Sequence, residues 1–568
     1  MSSLTENLDA ALAIMADVVM RPAFPADELA RQVARARSAI SIQGRTTAFL
    51  ASRAFTRWVY GEHPYGKIQT AESLSRIDVQ AVTRFHRDYY RPNNAVFVVA
   101  GDVDADAAVA ALDGHFGDWE PAPVSLPGYH GLPERFATEV VLVHVPGARE
   151  AVVRAGRTVM RGDDPDWTAL RVANRLLGEG ASSRLGTGPG GENGVAPGAS
   201  SGLIRRADSG YFQLRAEVAA EVVDSAVAAL LDEVARMGTD APTPEELDGV
   251  RSYLIGSFPL GIETPQQIAN QVTTYLLLGL ERDALQTYRE RISAITPEVV
   301  RSAAARLDPA RMTIVVAGDA LRLHDRLTRF GRVTVENDQG VVLALDQLRP
   351  RARESALDGS SLRPGSWTYE VRAQEWPVGE LTRSLTAGDE AGTMTFVSDA
   401  RIGPREVRRE VTFHARTFEA LRGEDRLKIQ GREMVSSLQL EGGQVTGFFR
   451  GPGGREPVEG TAVEGALLGE MTELALWVAA LEVEDEIVVA AVQPDGSLTN
   501  YTLKMQGERE VSVPAGVFQT YQVEIDGGGQ RQRVYVRIEQ PRYTVKIEVI
   551  GQPVETLLTN VAEGTPGR

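Results

Sequence analysis

The sequence predicts an α+β protein in which two related repeats of helices and sheet precede an all-β sandwich or barrel. The pentapeptide Val-Val-Ala-Gly-Asp occurs at 98–102 and again at 315–319. The first copy begins 23 residues, and the second 22 residues, after the start of a predicted helix, which indicates an internal duplication rather than a short-period solenoid. Beyond residue 365, helical periodicity gives way to alternating apolar and polar residues with glycine turns, a pattern typical of antiparallel strands.

Composition excludes several classes of protein. The chain has 568 residues, of which 43% are hydrophobic and 24% charged, values usual for globular proteins with about two to four domains. The net charge of −17 argues against a nucleic-acid partner. No apolar run approaches the roughly 18 residues of a membrane helix. The absence of cysteine excludes disulfides, thiolate metal sites and a cysteine nucleophile. The N-terminus starts an amphipathic helix and does not look like a signal peptide.

Residues 1–120 form the first repeat. Its predicted helices start at Asn7 or Asp9 and then cover 28–43, 75–90 and 104–115. An apolar stripe marks the buried face of the helix 75–90: Ile77, Val79, Val82, Phe85 and Tyr89. The apolar run 96–100 is too short for a buried helix and is rich in β-branched residues, so we predict a buried strand there.

Residues 121–335 form the second repeat, with predicted strands at 139–145, 152–156, 211–218 and 313–319, and helices at 164–177 and 221–237. Thr243 and Glu246 have the spacing of a capping box for a further helix. Regular pattern is lost over 336–364, which we predict to be a linker. The β domain, 365–562, has predicted strands at 367–371, 393–397, 410–413, 501–505, 520–525, 533–538 and 543–550, and only 465–481 could be helical there.

The residues alone give no catalytic or metal-binding site. The seven histidines are His63, His86, His115, His130, His144, His324 and His414, and none has a second histidine three or four positions further on. Neither a nucleophile elbow nor a Walker loop is present, and the glycine-rich stretch 188–194 lacks the context of a phosphate loop. His63, in a turn, and His86, on a helix, have no evident partner, so we interpret both as structural.

Several motifs, in order, resemble the pitrilysin/insulinase family of zinc metallopeptidases. They are HPYG (63–66), FHRDYYRPNNAVFVVAGDVD (85–104), FGDW (116–119), DDPDWTALRVANRLLG (163–178), SSRL (182–185) and YLIGSFPLGIET (253–264). The resemblance covers residues 5–335. It implies α+β halves that are themselves paired repeats, which agrees with the duplicated pentapeptide.

The zinc site of that family departs most from this sequence. The family's inverted His-x-x-Glu-His helix, whose histidines bind zinc and whose glutamate is the general base, does not occur here. The resemblance places the third zinc ligand at Ala39 and an acidic partner at Gln32, and neither can serve. The two-histidine motif falls before Met1, so we expect a first repeat truncated at its front.

A second departure concerns the arginine and tyrosine that hold the substrate carbonyl in active members. Counted from the SSRL motif, the arginine position is Gly190 and the tyrosine position is Pro197. The charge of a transition state would meet neither a metal nor these donors. We therefore assign no catalytic residue, no metal ligand and no cofactor, although zinc is the cofactor of the family.

The β domain more weakly resembles a bacterial envelope-associated domain of unknown function, through 513–518, 521–524 and 541–546. That resemblance implies a curved, many-stranded sheet and no chemistry. A cavity would favour a ligand-binding domain if it were lined by Trp367, Phe396, Phe413 and Tyr543, but we expect a packed core, since small barrels usually fill their interiors with side chains.

Three functions remain open. The first is a non-catalytic homologue that binds extended peptide or serves as a partner subunit of an active zinc peptidase. The others are a zinc metalloendopeptidase whose true start lies upstream, and a cell-envelope ligand-binding protein. We expect association, with itself or with a related full-length subunit, through the first 60 residues, where Leu8, Leu12, Met15 and Val19 would be poorly covered. The location would be the periplasm or envelope if the true start lies upstream, and otherwise the cytoplasm.

Overall fold

The structure is a computed structural model that describes every residue except 45, 192–193, 350–356, 452–453, 481, 483–484, 528–529 and 564–568. The chain forms two compact units, Met1–Leu343 and Ala344–Arg568. The predicted α+β class is confirmed: helices and a mixed sheet form the first unit, and a large sheet forms the second. Within the described ranges, no helix has both the length and the apolar character needed to cross a bilayer.

The first unit is built on a seven-stranded sheet of order β3-β4-β2-β5-β1-β6-β7. The strands are β1 (Glu139–His144), β2 (Glu150–Thr158), β3 (Ser200–Ile204), β4 (Tyr211–Ala219), β5 (Thr313–Gly318), β6 (Val333–Glu336) and β7 (Val342–Leu343). β1 runs parallel to β5 and β6, whereas β2 is antiparallel to β4 and β5. All six residues of β5 are buried, as expected of a central strand covered on both faces.

The first unit also contains helices from both repeats. They are α1 (Leu8–Met20), α2 (Ala26–Gln43), α3 (Thr47–Tyr60), α4 (Ala71–Ser75), α5 (Val79–Tyr89), α6 (Ala105–Phe116), α7 (Trp167–Gly178), α8 (Arg184–Thr187), α9 (Val223–Thr239), α10 (Pro244–Ser257), α11 (Pro265–Leu277), α12 (Tyr288–Ser293), α13 (Pro297–Ala305) and α14 (Ala320–Leu327). Although α3 comes from the first repeat, its apolar face packs on the sheet of the second, with Leu50 and Phe55 against Val141 and Val315. The thirteen-residue helix α11, Pro265–Leu277, has no buried residue.

Two predictions for the first repeat are corrected by the structure. The helix predicted at 75–90 is present as α5 but begins at Val79, four residues later, because Asp78 caps it by accepting the Ala81 N–H at 2.7 Å; Ser75 instead ends α4. The predicted strand 96–100 is not a strand, since no other segment of the described chain pairs with it.

The apolar stripe of α1 is also covered differently from the prediction. Leu12 and Ala16 are buried against Phe116 of α6, and Leu8, Met15 and Val19 pack on the same cluster. The exposed apolar side chains of α1 are instead Ile14 (67% exposed) and Val18 (63%). The stripe that the sequence indicated is therefore the one that attaches α1 to α6.

The second unit is a single fifteen-stranded sheet. Its strands are β8 (Gly365–Ala373), β9 (Trp376–Ala387), β10 (Thr393–Ile402), β11 (Arg405–His414), β12 (Ala420–Ile429), β13 (Arg432–Glu441), β14 (Gln444–Gly451), β15 (Gly454–Thr461), β16 (Leu467–Leu468), β17 (Glu486–Val492), β18 (Leu498–Val513), β19 (Gly516–Gly527), β20 (Gln530–Arg537), β21 (Thr544–Val549) and β22 (Val554–Glu563). The order is β15 back to β8, then β22 back to β16, so the first and last strands are neighbours. Every pair is antiparallel except β16–β17. The helix α16 (Met471–Val478), within the predicted 465–481, is buried in the core of this unit.

The segment 336–364, predicted to be a linker, contains ordered elements. β7 pairs with β6 at the edge of the first sheet. In the second unit, α15 (Leu345–Leu348) forms a helical turn, and Leu357 and Leu362 belong to the hydrophobic core. Residues 350–356 lie outside the described part of the chain. Apolar side chains at 357 and 362 therefore extend the second unit towards its N-terminal side.

Candidate functional site

The HPYG motif forms a buried turn that contacts the second repeat. His63 is 2% exposed, and its Nδ1 accepts the Tyr65 N–H at 3.2 Å. Its Nε2 lies 3.8 Å from a carboxylate oxygen of Asp208, which also accepts the Tyr129 hydroxyl at 2.8 Å. These contacts hold the turn in place, in keeping with the structural role predicted for His63. His86 likewise binds main chain, since its Nε2 lies 2.7 Å from the Val19 carbonyl oxygen.

An arginine among tyrosines completes this contact. The guanidinium carbon of Arg206 lies 5.1 Å from the ring centroid of Tyr60, 4.7 Å from that of Tyr65 and 5.7 Å from that of Tyr211. The Tyr60 hydroxyl donates to the Ser209 carbonyl at 2.9 Å, and burial raises the pKa of Tyr60. Tyr60 therefore stays neutral, and the three rings pack around the Arg206 cation.

The position of the third zinc ligand lies on the surface of α2. Ala39 is exposed and has no donor atom, and Gln32, also exposed, donates its amide to Glu28 at 2.8 Å. In the part of the chain that is described, no three His, Asp or Glu side chains lie close enough together to hold a metal ion. The residues present therefore do not fit the zinc site of the resembled family.

The loop that would supply the carbonyl-binding donors is built around glycine. Ser183 caps α8, and the loop returns to β3 through a Gly198 N–H bond to the Gly190 carbonyl, 2.9 Å. A Cβ on Gly190 would lie 2.8 Å from the Leu185 carbonyl oxygen and 3.0 Å from the Ala199 nitrogen. An arginine at 190 is therefore excluded while the main chain keeps this conformation. Pro197 is exposed and has no donor to offer.

The arginine of the SSRL motif has a structural partner. Both Arg184 Nε and Nη2 donate to the carboxylate of Glu246 at 2.9 Å, which attaches α8 to the start of α10. The hydrogen bonds from Arg184 lower the pKa of Glu246, so the pair is ionised at neutral pH. Because its guanidinium is bound to Glu246, Arg184 does not replace the missing donor at 190.

A chain of buried charges in the second unit was not predicted from the sequence. Arg383 of β9 forms a two-pronged pair with Glu473 of α16, in which Nη2–Oε2 is 2.7 Å, and Arg383 Nη2 is 3.7 Å from Glu470. Glu470 also accepts from Arg409 of β11, which lies 3.8 Å from Asp425 of β12. The available signal was the presence of two glutamates, three residues apart, at the start of the apolar segment MTELALWV.

Asp425, at the end of this chain of charged side chains, has a pKa close to neutral pH. The pKa of Asp425 is raised to about 6, chiefly by burial, which Arg409 opposes and the negative charge of Glu470 reinforces. Asp425 and Arg409 line a small pocket between the middle of the sheet and β16, with room for about one water molecule. Its size suits a bound water rather than an organic ligand.

The aromatic residues that could have lined a ligand cavity are packed together. Trp477 of α16 meets Trp367 at a centroid distance of 4.9 Å and Phe396 at 5.7 Å. Tyr543 lies 6.0 Å from Trp367, and Phe413 packs on Phe418 at 5.2 Å. All four predicted residues belong to the hydrophobic core. The interior is therefore filled at these positions, because α16 inserts its tryptophan among them.

Comparison with known proteins supports the resemblance. Residues 76–254 match the family model described as the peptidase M16 inactive domain. An uncharacterized zinc protease of Streptomyces coelicolor is 27% identical over 283 residues, which cover 48% of this chain and 61% of that protein. The zinc protease PqqE of Helicobacter pylori is 24% identical over 52% of this chain and 68% of its own length. The chain thus spans about three fifths of the Streptomyces relative.

Solved structures give the same assignment for the fold. The crystal structure of a peptidase M16 inactive domain from Pseudomonas fluorescens matches 56% of this chain and 76% of its own, with 26% identity and a TM-score of 0.52. A protease from Helicobacter pylori, at 22% identity and a TM-score of 0.51, shares the fold. The first unit thus has the fold of the M16 peptidases, and residues 76–254 within it are similar to the M16 inactive domain. A β-rich unit follows it.

Proposed function

We propose that this chain is a non-catalytic M16 homologue that acts as the partner subunit of a catalytically complete M16 peptidase. The observation that carries the proposal is the environment of Gly190, where a Cβ would meet the Leu185 carbonyl oxygen at 2.8 Å. The main chain at position 190 has no room for a Cβ. An arginine there would therefore require a different main-chain conformation and not only a different side chain.

Catalysis of peptide hydrolysis by this fold needs a polarising metal and donors for the developing oxyanion. The residues at the matching positions, Ala39, Gly190 and Pro197, provide neither. What the first unit retains is a folded sheet in which β3, at the end of the strand order, pairs with β4 and with no other strand of the described residues. A strand at the edge of a sheet is where an extended peptide can add. These features support a role in holding peptide or partner rather than in bond cleavage.

Activity measurements test this proposal. The purified chain, alone, is expected to leave unstructured casein fragments uncut. Added to a catalytically complete M16 subunit from the same genome, it is expected to raise the cleavage rate until the two are equimolar, whereas an inert carrier protein does not. Chelator-sensitive cleavage by the chain alone, or a rate unaffected by its addition, would contradict the proposal. Gly190→Arg serves as a control and is expected to remain inactive alone.

A second candidate is a zinc metalloendopeptidase, which is favoured by the printed names of the Streptomyces and Helicobacter relatives. Zinc has no matching ligand set among the described residues, so we expect no zinc bound in stoichiometric amount. Metal analysis after dialysis measures this directly. One tightly held zinc ion per chain would favour the peptidase over the partner subunit.

A further inference from the structure

Two arginines lie opposite each other on adjacent strands of the first sheet. Arg154 of β2 pairs in register with Arg215 of β4, so both side chains lie on the same face of the sheet. Among the described residues, neither guanidinium forms an ion pair with a carboxylate. Burial and the positive charge of Arg215 lower the pKa of Arg154. Like charges in this arrangement repel each other, so an anion bound beside them would be stabilising.

The side chain of Gln213 joins the two arginines into one row of hydrogen-bond donors. It lies on the same face of β4, is 4% exposed, and accepts from Arg154 Nη1 through its Oε1 at 2.7 Å. Because arginine can only donate, this bond fixes the amide with its Nε2 on the side away from Arg154. Nε2 has no acceptor among the described residues, and Arg154 Nε is buried without one. The row therefore has donors that no described group satisfies.

A glycine on the end strand leaves space beside these donors. Gly202 of β3 pairs in register with Gln213. A Cβ at this position would lie 3.3 Å from Arg215 Nη2 and 3.5 Å from Gln213 Nε2, the two atoms nearest to it. The φ angle of Gly202 is not positive, so the main chain does not require glycine there. The glycine instead lets the Arg215 guanidinium extend over β3, towards the outer edge of the sheet.

The other charges on this face leave the row positive. Glu217, two residues beyond Arg215 on β4, is exposed, and Glu150 lies at the far end of β2. Arg206 adds a third guanidinium, which lies 5.7 Å from the ring centroid of Tyr211 on the same face of β4. Three guanidiniums therefore face two carboxylates, neither of which is paired with Arg154 or Arg215 in the structure.

We propose that Arg154, Gln213 and Arg215 form a carboxylate site that takes an acidic side chain of an extended peptide paired with β3. A residue opposite Gly202 in such a pair would have its Cβ about 4.5 to 5.5 Å from the Cβ position of Gly202. A glutamate side chain spans that gap to reach Arg215 Nη2 and Gln213 Nε2, and guanidinium binds carboxylate through paired, charge-assisted hydrogen bonds. This inference rests on the proposed role of the first unit in holding peptide, and it names the class of peptide.

Two peptides that differ in one residue test the site. Fluorescein-labelled KTVTETVTK and KTVTQTVTK, both with the alternation of a strand, are titrated with the full chain and followed by anisotropy. We expect the glutamate peptide to bind about tenfold more tightly, because hydrogen bonds between charged groups are stronger than those between neutral ones. The net charge of the chain, −17, would by itself favour the glutamine peptide, so the expected order requires a local site.

Substitutions in the protein locate the carboxylate. Arg215→Gln, at an exposed position, is expected to abolish the preference for glutamate. Gly202→Val changes no charge but fills the space beside the donors, and is expected to reduce the preference about threefold or more. Arg157→Gln is the matched control, since it removes the same charge from the opposite face of β2 and leaves the preference unchanged. Circular dichroism checks that each variant is folded, and the peptide pair decides the outcome for the parent protein if a variant unfolds.

Hydrogen exchange places the bound peptide on the sheet. The N–H groups of β3 that face away from β4 have no main-chain acceptor among the described residues. We expect exchange over 200–204 to slow when the glutamate peptide binds, because carbonyl groups of an added strand accept from these N–H groups. Exchange in β6, at the other side of the sheet, is the internal reference and is expected to stay the same.

Four results would overturn the proposal: equal affinity for the two peptides or no saturable binding, a preference that survives Arg215→Gln, unchanged exchange over 200–204, or a dimer of the chain that excludes the peptide. The outcome is separable from that of the proposed function. A preference for glutamate without any effect on a complete M16 subunit leaves the carboxylate site and removes the subunit role. An effect on the subunit together with equal affinity for the two peptides does the reverse.

Discussion

The two copies of Val-Val-Ala-Gly-Asp have the same sequence and different structures. At 315–319, the valines belong to β5, paired on both edges and buried between helices. At 98–102, the same residues belong to no strand, and Val99 is 45% exposed. A helix follows each copy, α14 after the second and α6 after the first, and an aspartate caps both, Asp319 and Asp104.

The comparison distinguishes features that depend on neighbouring residues from features that depend on distant segments of the chain. The capping aspartate and the helix it starts depend on a few neighbouring residues, and they appear in both repeats. A strand depends on partners elsewhere in the chain, and only the second repeat supplies them. The identity of a short segment therefore does not fix its membership of a sheet.

The largest expected effect comes from placing a charge in each copy of the pentapeptide. Val316→Asp puts a carboxylate at a fully buried position of β5 and is expected to destabilise the first unit by about 4 kcal/mol or more. The equivalent Val99→Asp faces solvent in the isolated chain and is expected to change stability by less than about 0.5 kcal/mol. Calorimetry, with hydrogen exchange of β1 as a local probe, measures both. Similar losses in the two variants would contradict the account given for the pentapeptides.

The next largest effect is expected from weakening the packing of α1 on α6 in the first repeat. Leu12→Ala leaves a cavity against Phe116 and is expected to cost about 2 to 3 kcal/mol, whereas Ile14→Ala on the exposed face of α1 costs less than about 0.5 kcal/mol. Hydrogen exchange in α6 reports the loss. If Leu12→Ala leaves the protection of α6 unchanged, the α1–α6 layer is not cooperative without its sheet.

The smallest expected effect concerns Asp425, a carboxylate of the second unit whose pKa depends on its surroundings. Because the pKa of Asp425, about 6, lies above its ordinary value of 3.8, the ionised form is disfavoured in the fold. The contribution of Asp425 to stability is therefore complete below about pH 4 and is lost as pH rises to about 6. Asp425→Asn is expected to remove this slope and to raise stability at pH 7 by about 1 to 3 kcal/mol.

Urea titrations at several pH values measure that slope. Asp389→Asn, at a side chain 92% exposed, is the matched control and is expected to leave stability within about 0.5 kcal/mol at every pH. A parent protein whose stability is flat between pH 4 and 6, or a slope that survives in Asp425→Asn, would show that the carboxylate is better solvated than its position indicates.

Features that depend on adjacent residues could be predicted from the sequence. The capping box of α10 is confirmed, with Thr243 accepting the Glu246 N–H and Glu246 accepting that of Thr243. β1 and β5 were predictable because almost all of their residues are buried, so that each reads as an apolar run. β12, ALRGEDRLKI, was not predicted, since charged residues occupy much of it and obscure the alternation.

The candidate site was predictable only in part. The motifs located Ala39, Gly190 and Pro197, but not the steric reason that position 190 holds glycine, which depends on Leu185 and Ala199 folding back against it. The pair Arg383–Glu473 joins residues 90 positions apart, on a strand and a helix. Such contacts are set by the packing of the whole sheet, so no local pattern marks them.

The pairing of β22 with β8 has a consequence for the order of folding. The hydrogen bond from Thr559 Oγ1 to the Thr368 carbonyl joins residues 191 positions apart. The hairpins from β8 to β15 are local and can form as they are synthesised, but one edge of β8 stays open until β22 emerges. Bringing β22 to β8 closes a long loop, which has an entropic cost. One edge of β8 is therefore exposed while most of this unit is synthesised. Ribosome-bound chains halted before β22 would therefore be the species most prone to aggregate.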